Sequence, residues 1–204
     1  MNTFTYEANE SQTPLETYEW DNTWIEQANR SDTPRVLYVG DSISCGIRRI
    51  ATERSGGAYL FDGFGSSKAV DHPYLAECIR IFALQENRRD AILFNNGLHG
   101  WHLDDEAYRR HYEQVLQFFL REYPETPLYP VLTTSVQNED REARAKARNA
   151  IVLELAEKYK LPVIDLYGTS AEYGHLRSDG VHFQREGYEK LADVILSALK
   201  KGSI

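Results

Sequence analysis

A serine, an aspartate and a histidine in this chain have the types and the order needed for nucleophilic catalysis. Ser42 follows an apolar run that ends at Gly40, and Asp179 and His182 lie three residues apart near the other end of the chain. A serine hydroxyl attacks a carbonyl carbon only when a base removes its proton and a carboxylate orients that base. The sequence therefore predicts Ser42 as nucleophile, His182 as base and Asp179 as the residue that orients the base.

Each of these two segments is ambiguous when it is considered alone. A strand that runs into a glycine, an acid and a serine is as typical of a phosphate loop or an ordinary turn as of a nucleophile. A single Asp179 is more often a turn or cap residue, and a single His182 is more often a surface or satisfied histidine. The prediction depends on both segments lying at the carboxyl edge of one sheet, where open α/β folds place their active sites.

Alternating patterns predict the elements that would bring these residues together. Short apolar runs predict five strands, at 35–39, 58–61, 91–94, 128–132 and 163–166. Helical spacing of apolar residues predicts helices between and after them, at 44–53, from about 71, from about 105, at 138–159 and at 185–200. This alternation predicts one doubly wound α/β domain over residues 1–204, with a five-stranded, mainly parallel sheet.

The first 34 residues form an extension before the predicted sheet. Thr13 and Glu16 have the spacing of a capping box, which predicts a helix over about 15–29. Trp20 and Trp24 would form a stripe on that helix, and paired exposed tryptophans need cover. We therefore expect the helix to dock on its own domain or across a contact between subunits, so a homo-oligomer is one possible state.

The composition argues against several classes of partner. The chain has 204 residues and a formal net charge of −8, which disfavours a nucleic-acid or anionic-membrane surface. Its two cysteines form no disulfide framework, and no apolar run has the length of a membrane span. The N-terminus lacks the basic and apolar regions of a secretory signal. We expect a cytoplasmic protein with no nucleic-acid or membrane partner.

The segments at both ends of the predicted sheet resemble the SGNH hydrolase superfamily, also called GDSL esterases and lipases. Gly40-Asp41-Ser42-Ile43 is similar to its first block, and Ser178-Asp179-Gly180-Val181-His182-Phe183 is similar to its last block. The resemblance extends from about residue 35 to about residue 199. It implies a flavodoxin-like, three-layer α/β/α fold and ester hydrolysis through a covalent acyl-enzyme, with no cofactor and no metal.

The two middle blocks depart from the usual pattern of the superfamily. In the second block a glycine amide joins the amide of Ser42 in the oxyanion hole; the candidates are Gly63 and Gly65, and we favour Gly65. The third block is normally Gly-x-Asn-Asp, but here it has the form Asn-Gly-Leu-His, which resembles a variant branch. Either His99 or Asn96 would donate to the oxyanion, and we favour His99 from the register; Asn96 could instead only shape a turn.

We predict Asp41, Trp101 and Thr133 as substrate-binding residues. The indole of Trp101 suits the apolar face of a sugar ring, although it could equally fill the core, and Thr133 could be a satisfied turn residue. His99 and His102 are close enough in sequence to share a metal ion, but no third ligand is evident. We therefore predict no metal site.

Three functions compete for this arrangement. The first is a serine esterase that removes a small acyl group, which we expect to be acetyl, from a small-molecule or oligosaccharide ester. The second is a lysophospholipase or acyl-thioesterase, which would need an apolar acyl channel. The third is a non-enzymatic module that binds a sugar or a phosphate. The combination of nucleophile, base and orienting carboxylate argues against the third, because binding alone does not require it.

Overall fold

A five-stranded sheet organises the computed structural model, which describes residues 13–85 and 88–202. Its strands are β1 (Asp21–Trp24), β2 (Arg35–Gly40), β3 (Leu60–Ser66), β4 (Ala91–Phe94) and β5 (Leu128–Pro130). They lie side by side in the order β1-β3-β2-β4-β5, and β1 alone of these five is antiparallel to its neighbour. The predicted α/β class with a five-stranded, mainly parallel sheet is confirmed.

Helices pack on both faces of this sheet and make three layers. They are α1 (Ser42–Arg54), α2 (Leu75–Ala83), α3 (Asp105–Glu122), α4 (Glu139–Tyr159), α5 (Tyr167–Glu172) and α6 (Arg185–Lys201). Val36 and Tyr38 of β2 belong to the core beneath α1 and α6, whereas Leu37 and Val39 belong to the core beneath α2, α3 and α4. A parallel strand that is covered on both faces must be apolar throughout, and β2 is. None of the helices described is long and apolar enough to cross a lipid bilayer.

The predicted helix over 15–29 is wrong, because this part of the chain contains the edge strand β1. Asn22 lies opposite Gly65 and Trp24 lies opposite Gly63 in an antiparallel pair. Without β1, β3 would pair only with β2, and the backbone groups along its other edge would lack partners within the sheet. This distant partner outweighs the local helix-start pattern. Residues 1–12 of the predicted extension lie outside the described part of the chain.

The predicted strand at 163–166 is also absent as a strand. Ile164 forms a single parallel bridge with Val131, and α5 begins three residues later. The fifth strand of the sheet is therefore β1, at the opposite edge from Ile164. The sheet has five strands, as predicted, but β1 is one of them in place of the predicted strand at 163–166.

The second predicted strand, at 58–61, is β3, which begins later and extends further. It continues to Ser66 and takes in Gly63 and Gly65, which lie beyond the end of the predicted strand. Glycine is a poor strand former, so the local sequence predicts a loop there. Pairing with strands on both sides holds the segment extended.

Candidate active site

Ser42 is the first residue of α1, directly after the turn that ends β2. Asp41 caps the helix, and its Oδ1 accepts a hydrogen bond from the Ile43 amide at 2.9 Å. A Cβ atom on Gly40 would lie 2.8 Å from the Cβ of Ser44, so this turn requires glycine. The turn places the Ser42 hydroxyl at the carboxyl edge of the sheet, as predicted.

His182 and Asp179 complete a continuous hydrogen-bonded relay from Ser42. The His182 Nε2 atom lies 2.7 Å from the Ser42 hydroxyl oxygen, and its Nδ1 atom lies 2.9 Å from Oδ2 of Asp179. The carboxylate can only accept, so the ring carries its proton on Nδ1. Nε2 is then free to take the proton of the serine. The structure brings together the three residues that the sequence singled out.

The loop around Asp179 fixes this carboxylate by its backbone. Oδ1 of Asp179 accepts hydrogen bonds from the amides of Val181 and His182, at 2.8 and 2.7 Å. The Gln137 amide donates to the Gly180 carbonyl at 2.8 Å and ties the loop to the segment before α4. Gly180 has no positive φ, so the turn is closed by the hydrogen bonds of Asp179 and does not depend on a conformation special to glycine.

These hydrogen bonds keep Asp179 ionised down to low pH. Its pKa is lowered to about 2 by the amide and ring of His182 and by the amide of Val181. A depressed carboxyl pKa favours the folded state at neutral pH, and this contribution is lost only as the pH falls towards that value. We expect Asp179 to stay ionised, and the relay to keep its carboxylate, until the pH approaches 2. A ¹³C NMR titration of the Asp179 carboxyl carbon measures this, and a midpoint at the ordinary aspartate pKa would contradict it.

Asp41 is fully buried, which contradicts its predicted role as a substrate contact. Burial raises the pKa of its carboxyl group, while the rings of His99 and His182 and the amide of Ile43 act in the opposite direction. Its Oδ2 atom has no hydrogen-bond partner among the described residues. Asp41 therefore acts on the site as the cap of α1 and as a buried acid close to both histidines.

Gly65, the favoured backbone donor of the second block, lies within a strand and not in a loop beside Ser42. It sits inside β3, between Asn22 of β1 and Gly40 of β2, and the backbone groups of a central strand point at its neighbours. A Cβ atom on Gly65 would lie 2.2 Å from the sulfur of Cys45, which accounts for the glycine by close packing against α1.

The two candidate side-chain donors of the third block differ in what they contact. The Asn96 side-chain nitrogen donates to the Lys68 carbonyl at 2.8 Å, and the residue is buried. The His99 ring interacts electrostatically with Asp41, the residue next to Ser42, and its side chain is 18% exposed. These contacts favour His99 over Asn96 as the group that faces a bound substrate.

Solved structures share this fold. An acetyl xylan esterase is 20% identical, with a TM-score of 0.64 over 81% of this chain and 99% of its own. A member of the lipolytic G-D-S-L family from Veillonella parvula is 17% identical, with a TM-score of 0.66 over 83% and 100%. The catalytic domain of a Streptococcus pneumoniae peptidoglycan O-acetyltransferase is 17% identical, with a TM-score of 0.65 over 84% and 95%. The chain has the GDSL hydrolase fold.

Comparison of the sequence itself gives no match. No protein-family model matches the chain, and no curated protein matches it in sequence. The predicted resemblance to the GDSL hydrolases is therefore confirmed through the fold.

A buried arginine holds in place the loop of residues 95–101, which contains the third block and is called the third-block loop below. Arg148 of α4 is 1% exposed, and its guanidinium group lies 4.6 Å from the ring centres of both Trp101 and Tyr108. It donates to three carbonyl oxygens of the loop, those of Gly97, His99 and Gly100, at 2.9, 2.6 and 2.6 Å. Buried carbonyls need such partners, so Arg148 fixes the backbone that carries His99.

The Trp101 ring already contacts other side chains, whereas a ring that stacks on a sugar needs a free face. Besides Arg148, the guanidinium groups of Arg144 and Arg141 lie 5.4 and 5.6 Å from its ring centre. Arg144 also donates to the Trp101 carbonyl. A sugar ring that stacked on Trp101 would compete with these cations, so the stacking role stays a prediction.

Thr133 lies behind the third-block loop instead of at the surface. It is 3% exposed, and its backbone exchanges two hydrogen bonds with the side chain of Asn149, at 2.8 and 3.0 Å. Its side chain packs on Gly97, where a Cβ atom would lie 2.5 Å from that of Thr133. This burial contradicts a direct contact with substrate.

The two histidines considered as metal ligands have different acidic partners. Nδ1 of His99 lies 3.4 Å from Glu16, whereas Nε2 of His102 lies 2.8 Å from Asp71. Across residues 13–85 and 88–202, no three histidine, cysteine or acidic side chains are grouped as metal ligands would be.

Two residues that shape the site were missed by sequence reasoning. The sequence pattern assigns no role to Arg148 and predicts Glu16 to be a helix-capping residue. An arginine at an inward position of an amphipathic helix was the available signal for Arg148. Nothing local pointed to Glu16, because its contacts lie more than 80 residues away in the chain.

Proposed function

We propose that this protein is a serine esterase that hydrolyses small acyl esters through an acyl-enzyme on Ser42. The relay of Ser42, His182 and Asp179, with distances of 2.7 and 2.9 Å, is the observation that carries the proposal. A phosphate- or sugar-binding site would have no use for a serine hydroxyl aimed at a base that is itself held by a carboxylate.

The reaction follows from the positions of the protons in this relay. His182 Nε2 takes the hydroxyl proton as the oxygen of Ser42 attacks the ester carbonyl carbon, and Asp179 stabilises the imidazolium that forms. The carbonyl oxygen becomes an oxyanion, for which we propose His99 and the amide of Ser42 as donors. His182 then gives its proton to the leaving alcohol. A water molecule, deprotonated by the same nitrogen, releases the acid and restores the serine.

One observation bears on the size of the acyl group and another on the alcohol that carries it. An apolar cavity of about 830 Å³ lies between the end of α6 and the segment around Val163, but none of the three relay residues lines it, so this cavity is not an acyl channel for Ser42. Among the proteins that share the fold are one named as an acetyl xylan esterase and one named as a peptidoglycan O-acetyltransferase. We propose an acetylated sugar or oligosaccharide as the substrate.

A chain-length series of nitrophenyl esters tests this proposal. For a shallow polar site we expect kcat/KM to fall from acetyl to butyryl to octanoyl esters, because added methylenes find no apolar wall. An acyl channel would instead gain about 0.8 kcal/mol for each buried methylene group, and kcat/KM would rise with length. A rising series that depends on Ser42 would favour the lysophospholipase or thioesterase function.

A further inference from the structure

The segment before β1 is fastened to the residues that follow β3, close to the third-block loop. The Trp20 amide donates to the Ser67 hydroxyl oxygen at 2.8 Å, and the Ser67 amide donates to the Trp20 carbonyl at 3.1 Å. The Ser67 hydroxyl group donates to Glu19 at 2.7 Å. Lys68, the next residue, forms an ion pair with Asp21 at 2.8 Å. These contacts hold residues 19–21 in a defined place.

Glu16 is the residue of this segment that reaches the loop. Its Oε1 atom accepts a hydrogen bond from the Gly100 amide at 3.1 Å and lies 3.4 Å from Nδ1 of His99. The Trp20 ring meets the His99 ring edge-on, with centroids 6.2 Å apart. Gly100 has a φ of +66°, and a Cβ atom there would lie 2.6 Å from that of Ala69, so this contact requires a glycine backbone.

The Glu16 contact determines which hydrogens His99 can offer. A carboxylate accepts but does not donate, so Nδ1 of His99 carries a proton that faces Glu16. If the ring were neutral, Nε2 would then be an acceptor and could not stabilise an oxyanion. With Nδ1–H facing Glu16, only a ring that carries both protons also offers Nε2–H to an oxyanion. In that arrangement Nδ1–H donates to the Glu16 carboxylate, and a hydrogen bond from a charged donor to a carboxylate is stronger than one between neutral groups.

We propose that Glu16 is a positioning residue of the oxyanion hole, which orients His99 by accepting a charge-assisted hydrogen bond from Nδ1 while Nε2 donates to the oxyanion. The inference rests on the proposed esterase function and on His99 as the oxyanion donor. The N-terminal segment then belongs to the catalytic machinery and is not an appendage to the domain. Glu16 supplies the charge that a neutral asparagine donor in the same place would not need.

The variant Glu16→Gln separates charge from structure. The glutamine oxygen can still accept from the Gly100 amide, so the loop keeps its anchor while the ring loses the negative charge. We expect kcat for nitrophenyl acetate to fall by about tenfold with KM changed by less than about twofold, since only transition-state stabilisation is weakened. The matched control is Glu26→Gln, whose carboxylate accepts from the Trp24 indole at 2.7 Å and should be silent.

A double-mutant cycle shows whether Glu16 acts through His99. In a His99→Asn background the donor is neutral, so adding Glu16→Gln should change kcat by less than about twofold. Unchanged kcat in Glu16→Gln alone, or an equal loss in both backgrounds, would overturn the inference. Ser42→Ala is measured in parallel. If it retains activity, the proposed function itself fails; if it is inactive while Glu16→Gln is silent, only the inference fails.

Discussion

Replacing Ser42 or His182 with alanine is expected to lower ester turnover by about 10⁴-fold or more. Without the hydroxyl group no acyl-enzyme forms, and without the imidazole ring nothing removes the hydroxyl proton. Asp179→Ala should cost less, because His182 remains as a base and loses only its orientation. The measurement is steady-state hydrolysis of nitrophenyl acetate by variants whose folding is verified by circular dichroism.

Two controls distinguish this loss of turnover from a loss of folding. His175→Ala removes another histidine from the stretch before the Asp179 loop and should leave kcat within about twofold of the unmodified protein. A phosphonate should attach to Ser42 and to no other residue, as peptide mass spectrometry can show. Near-normal turnover by folded Ser42→Ala would falsify the assignment of the nucleophile.

His99→Ala is expected to lower kcat by about 10²–10³-fold with little change in KM, as the loss of one oxyanion donor does. The ring contributes to the transition state, where negative charge develops on the carbonyl oxygen, more than to the bound ester. Stopped-flow or steady-state assays with nitrophenyl acetate separate kcat from KM.

Asn96→Ala provides the matching comparison within the same loop. Its side chain is buried and donates to the Lys68 carbonyl, so its removal should lower the melting temperature more than it lowers kcat. The reverse pattern, with His99→Ala almost silent and Asn96→Ala crippled, would show that Asn96 is the donor and that our register for the third block is wrong.

The nucleophile, its base and the parallel strands could be predicted because each depends on short-range sequence. Val36 to Val39 form an unbroken apolar run, as a strand covered on both faces must. Asp179 and His182 are three residues apart, so one turn brings carboxylate and ring together. The order of the two blocks then placed Ser42 and His182 at the same edge of the sheet.

The parts that could not be predicted depend on partners far away in the chain. Thr13 and Glu16 have helix-start spacing, but β1 forms because β3 has an open edge about 40 residues downstream. Gly65 reads as a loop residue until strands lie on both sides of it. The burial of Asp41 and Thr133 likewise depends on packing between elements, which spacing along the chain does not reveal.

The residues of the relay lie far apart in the sequence, and this separation determines when during folding Ser42 acquires its base. Ser42 and His182 are separated by 140 positions, and Glu16 and Gly100 by 84. Contacts between such distant residues form late in folding, because the intervening chain must first be ordered. During synthesis on a ribosome, the serine emerges and its strand can pair long before its base has been made. The nascent chain therefore carries an unactivated hydroxyl group, and the onset of the proposed esterase activity would report the completion of folding.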